Sequence, residues 1–187
     1  MSSDQALTFL ASVVGSSAIA GLLVAGYTRT TERKRQLREE MLETAGNFAG
    51  DAMEALARIR DYKPTTADQD GAVHRNAALL SDGRLRDDRR IAAEKAVDRL
   101  RPLRGRVKLL FATAGSNEAD EAAGEIIIQL RAMLKTSAAF WAKCEADPAN
   151  RAKHELEVEP AYDHARDTTR AEIEKFCSAA AERMRSP

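Results

Sequence analysis

Apolar side chains recur at three- and four-residue steps along most of this chain, the mark of helices with one apolar face. The first stripe is Leu37, Met41, Ala45, Phe48, Ala52, Leu56 and Ile59. No proline interrupts residues 28–62, so one helix is predicted to run to Tyr62-Lys63-Pro64, where proline disfavours continuation. Gly46 and Gly50 each weaken that helix by about 1 kcal/mol relative to alanine without ending it. A second stripe (Ala93, Val97, Leu100, Leu103, Val107, Leu110, Ala114) predicts a helix over about residues 85–114, kinked or split at Pro102. A third, over about 118–146, carries Ala122, Ile126, Leu130, Met133, Ser137, Phe140 or Trp141, and Cys144. Glu118, Asp120 and Glu121 favour its first turn through the helix dipole, and Asp147-Pro148 ends it. Glu159-Pro160 is read as the start of the last helix, with proline near its first position and a stripe of Tyr162, Ala165, Thr169, Ile173, Phe176, Ala180 and Met184. Residues 63–84 form a linker in this reading, with Val73, Ala77 and Leu80 marking a short helix and Asp82-Gly83 a turn.

Four rods of about 39–51 Å, at about 1.5 Å per residue, bury their stripes best as an elongated, mostly antiparallel bundle. The short link between the second and third helices requires those two to be antiparallel. The fold class predicted is therefore all-α. Alanine, 35 of 187 residues, fills many stripe positions, which brings helices close but supplies little burial at each position. The Leu, Ile, Phe and Trp positions are expected to carry most of the core.

One stretch has no polar stripe. Residues 6–27, ALTFLASVVGSSAIAGLLVAGY, are 22 positions without a charge. As a helix they span about 33 Å, the thickness of a bilayer's hydrocarbon. Thr8, Ser12, Ser16 and Ser17 can bond back to their own helix carbonyls. A cleaved signal peptide would begin with bases, whereas MSSDQ carries one acid. Arg29, Arg33, Lys34, Arg35 and Arg38 crowd the other flank, which keeps that side in the cytoplasm. The sequence thus predicts a transmembrane anchor over 1–28, N-terminus outside, and a cytoplasmic bundle over 29–187. Small residues every four positions, Ser12–Ser16–Ala20 and Ser17–Gly21–Ala25, let two such helices approach. In the bundle's antiparallel order Arg104, Arg106, Lys108, Arg183 and Arg185 fall toward the same end as Arg33, Lys34 and Arg35, within reach of anionic headgroups.

Charge excludes some partners. Twenty-nine acids balance 29 bases, so no net field draws the chain to nucleic acid. The second helix carries ten bases against four acids, but no aromatic residue interleaves with them before Phe111. From Asn117 onward 14 acids meet 10 bases, so the two biases satisfy each other inside one bundle.

Catalytic constellations are missing from the sequence. No phosphate loop, dinucleotide glycine pattern or nucleophile elbow is present. Gly71, Arg151 and Ala161 stand three residues before His74, His154 and His164, so the paired Glu-x-x-His of a di-iron bundle is absent. His154 and His164, with Glu155, Glu157, Glu159 and Asp163, form an acidic cluster around Pro160, read as a solvated loop at the distal end of the bundle. Cys144 and Cys177 fall about 22 Å apart in an antiparallel hairpin, beyond disulfide reach, and are read as buried small hydrophobes. No catalytic, cofactor-binding or metal residue and no cofactor is assigned.

The uncharged Ala/Gly/Ser-rich span, the basic ERKRQLREE exit helix and the closing EPAYDHARDTTRAEIEKF helix resemble a broad set of small single-span helical membrane proteins of high-GC bacteria and their phages. The resemblance implies a membrane protein and carries no activity onto any position. The predicted function is a membrane-anchored, non-catalytic helical module for protein contact or self-association, its partners the lipid bilayer and another protein or a second copy. An extracytoplasmic rod of the envelope-disrupting kind needs the opposite topology, and a metal-dependent bundle enzyme needs ligands at His154 and His164.

Overall fold

In the computed structural model the described residues are 3–63, 79, 82–111 and 117–185, with side chains described from residue 31 onward. They form four long helices and one short turn of 3-10 helix, with no strand among the described residues. Helix α1 runs Ser3–Tyr62, α2 Gly83–Phe111, α3 Glu118–Ala146 and α4 Arg151–Arg185, the 3-10 turn Pro148–Asn150 preceding α4. The chain divides into two compact units, residues 1–40 and 41–186.

The first unit is the leading part of α1. Its uncharged run, residues 6–27, is helical in backbone, and its side chains lie outside the described residues. Among the described residues no helix is long and apolar enough to cross a membrane. From Thr31 to Glu40 every side chain is exposed, Leu37 included, and Arg35 pairs with Glu39 one turn on at 2.9 Å.

The second unit is a bundle whose cross-helix pairs step in opposite directions. Asp61 and Glu54 of α1 meet Arg89 and Arg99 of α2. Arg86, Asp98 and Arg104 of α2 meet Glu145, Arg131 and Asp120 of α3. Lys143 of α3 meets Glu157 of α4, and Phe48 of α1 meets Phe176 of α4. Each neighbour is therefore antiparallel. The predicted stripes supply the core: Met41, Phe48, Ala52 and Ile59, then Val97, Leu100 and Val107, then Ile126, Leu130 and Met133, then Tyr162, Ile173 and Phe176 are all buried. Phe48 and Phe176 stack tilted at 4.8 Å between ring centres, a geometry that adds to plain burial. Thr169 and Ser137 sit inside this core, and each hydroxyl donates to the carbonyl one turn back, at 2.7 and 2.8 Å.

Three boundaries differ from the sequence reading. Helix α4 starts at Arg151, not at Glu159-Pro160, and Pro160 lies inside it. Helix α2 passes Pro102 without a break. The reason is common to both: Pro102 and Pro160 are on exposed faces, and so are Asp98 and Leu156, whose carbonyls lose their intrahelical donors to the rings. Water can satisfy those carbonyls. Asp82 is a cap rather than half of a turn, its Oδ1 accepting from the amides of Arg84 and Leu85 at 2.9 and 3.2 Å, and Gly83 opens the helix. The short helix expected around Val73, Ala77 and Leu80, and Ala114 of the second stripe, lie outside the described residues.

Candidate functional site

The end of α1 is where the bundle departs from a simple apolar core. The last carbonyls of a helix have no intrahelical donors, and here two side chains from other helices reach them. Arg89 of α2 donates to the Asp61 carbonyl at 2.7 Å, and the indole N–H of Trp141 on α3 donates to the Tyr62 carbonyl at 3.0 Å. The Lys63 amide donates to Ile59 at 2.9 Å. Around this end a second apolar cluster gathers Tyr62, Leu79, Phe140, Trp141, Cys144 and Val158. Phe140 meets Trp141 edge to face at 4.9 Å, and the Arg86 guanidinium, paired with Glu145, lies over the Trp141 ring.

Into this cluster turns Lys63. Its side chain is 0% exposed, which is rare for lysine, and its ammonium makes no hydrogen bond among the described residues. The Nζ atom lies 4.6 Å from the centre of the Tyr162 ring and 5.2 Å from that of Phe140. The electron-rich faces of two rings thus take the place of water. Burial pushes the Lys63 amine below its ordinary value near 10.5, while the carboxylates of Glu155, Glu159 and Asp163 pull it back. The same burial pushes the Tyr62 phenol up to about 12, against the lowering effect of Arg90 and Arg86.

Tyr162 has a second side. With Leu56 of α1 and Met133 of α3 it floors a groove of about 190 Å³, open at Met53. Three arginines line the groove: Arg60 from α1 and Arg166 and Arg170 from α4. Arg166 is held by Asp163 at 2.8 Å and Asp167 at 3.0 Å. Arg60 and Arg170 are exposed and make no ion pair among the described residues. A larger groove of about 350 Å³ between α1 and α2 is different, because Arg58 and Arg99 at its edge both turn to Glu54. The first groove sets two arginines without an ion pair among the described residues over an apolar floor, whereas in the larger one the unpaired cation, Lys95, shares the lining with the carboxylates of Glu54 and Asp88.

The histidines and cysteines fall elsewhere. His154 is mostly buried on α4, its ring nitrogens 3.9 Å from Asp147 and 4.0 Å from Glu157, whereas His164 is exposed. The acidic cluster around Pro160 is thus part of a helix and not a loop. Among the described residues no three His, Cys, Asp or Glu side chains are grouped to hold a metal ion; His74 lies outside them. Both cysteines are free, but Cys177 is exposed, contrary to the expectation that both would be buried. It stands next to Phe176, which takes the inward position. Burial raises the Cys144 thiol above its ordinary value, so it stays protonated. Neither the Lys63 cage nor the arginine-lined groove carries a motif; each is assembled from three helices, with Leu56, Met133, Phe140 and Tyr162 marked beforehand as stripe residues but none of the cations.

No protein family, no curated protein and no solved structure matches this chain.

Proposed function

We propose that this protein is a membrane-anchored helical module that presents its bundle on the cytoplasmic side for contact with another protein or a second copy, and that it is not an enzyme. The observation that carries the reading is the run of 22 uncharged residues at 6–27, helical in backbone and followed at once by bases. The 22 uncharged residues match the hydrocarbon thickness, and the bases Arg29, Arg33, Lys34, Arg35 and Arg38 favour a cytoplasmic carboxyl side. The columns Ser12–Ser16–Ala20 and Ser17–Gly21–Ala25 support pairing of two anchors.

Cell fractionation with two reporters tests this. The full chain is expected in the membrane fraction after alkaline carbonate washing, with a reporter fused after Pro187 active only in the cytoplasm. Recovery in the soluble fraction overturns the anchor, and a reporter active only outside the membrane overturns the topology.

A further inference from the structure

We propose that the groove between α1, α3 and α4 binds a single-chain amphiphile with an anionic head, its alkyl chain over Leu56, Met133 and Tyr162 and its head between Arg60 and Arg170. The volume sets the kind of chain. About 190 Å³ falls below the range of drug-sized pockets. At roughly 30 Å³ for each water-sized group it accepts about six methylenes. That suits a chain of about six to eight carbons and is too small to enclose the two chains of a bilayer lipid.

Charge sets the head. Asp163 and Asp167 compensate Arg166, and the two other arginines lining the groove have no carboxylate partner among the described residues. Guanidinium groups recognise carboxylate or phosphate through directed N–H donors, whereas a cationic or neutral head gains nothing from them. The floor is already built: Leu56, Met133 and Tyr162 are buried side chains, and the Lys63 ammonium packs on the Tyr162 ring at 4.6 Å. A ligand chain would cover the exposed side of Met53 at the groove's open end.

The probe is octanoate, added to the full chain in phosphatidylcholine nanodiscs and followed through the methyl signals of labelled methionine. Met53 and Met133 line the groove, while Met41 lies in the core away from it. Octanoate is expected to shift Met53 and Met133 saturably and leave Met41 unmoved, with octylamine at least about tenfold weaker. The exposed changes Arg60→Gln and Arg170→Gln together are expected to weaken octanoate about tenfold and leave octanol unchanged. Equal binding of octylamine, non-saturable shifts or an unaffected double variant overturns the proposal. So do shifts produced by phosphatidylglycerol in the disc with no further response to octanoate, or by two chains in one disc with no ligand. Failure of the membrane anchor would leave this result standing, because every groove residue lies in the bundle.

Discussion

Trp141 donates its indole N–H to the Tyr62 carbonyl at 3.0 Å, joining positions 79 apart in the chain. This bond ties the end of α1 to the middle of the bundle's second apolar cluster. It also makes the chain's one tryptophan an optical reporter of that end.

Trp141→Phe keeps an aromatic ring beside Phe140 but strips the donor from a buried carbonyl. An unpaired buried acceptor costs about 1–3 kcal/mol. The expected result is a lower urea midpoint with an unchanged slope, read by circular dichroism. A midpoint equal to wild type would show that the carbonyl finds another donor.

Lys63 gives the bundle a pH dependence of known sign. Its folded pKa is below 10.5, so between the two values the unfolded chain holds more protons and stability rises with pH. Below that window the penalty for burying the charge is fully present. Lys63→Met keeps the length and removes the charge. The variant is expected to be more stable than wild type at neutral pH, with the gap closing as pH approaches 10.5. A gap that stays constant with pH would contradict the account.

Tyr62 sets the alkaline limit by the opposite sign. Its phenol is raised from 10 to about 12, so above pH 10 the unfolded chain loses its proton first and stability falls. The loss is roughly 2–3 kcal/mol once both values are passed. Tyr62→Phe is expected to flatten the stability curve between pH 10 and 12, as measured by urea unfolding at each pH.

Gly46 and Gly50 lie on the exposed side of α1, and an added Cβ at either meets no atom within 4 Å. Each change to alanine is expected to stabilise the bundle by up to about 1 kcal/mol through helix propensity alone. Gly124 differs, because a Cβ there would stand 2.7 Å from the Arg104 guanidinium, which spans the glycine to reach Asp120. Thermal melts of the three variants should separate them, with Gly124→Ala gaining least.

The two thiols should differ in access. Cys177 is exposed and Cys144 is buried with a raised pKa. Maleimide is expected to label Cys177 within minutes in the folded chain and Cys144 only after denaturation, as mass spectrometry of peptides would record. Labelling of both at equal rates would contradict the burial of Cys144.

What the sequence made legible follows from periodicity. The stripes of Phe48, Leu130 and Phe176 recur at helical spacing within single segments, so their inward faces follow without knowledge of the neighbours. The start of α4 was not legible, because a proline after Glu159 looks like a first helical position. Only the exposure of Leu156 and Pro160, a tertiary property, explains why the helix already exists nine residues earlier. Lys63 was hidden for another reason: next to Pro64 it reads as the polar end of a helix, and nothing local announces that Phe140 and Tyr162 will close around it. That Arg60 and Arg170 line one groove likewise depends on the antiparallel register of α1 and α4.

The alanines inside the bundle impose a constraint on its future variation. Ala52, Ala93, Ala122, Ala123 and Ala165 are buried in the packed core, where added methylenes force neighbours to shift. A larger side chain at any of them would wedge two rods apart. The long residues can be exchanged for others of similar bulk. The small ones have almost no substitutes, so the shortest side chains are the least replaceable parts of this protein.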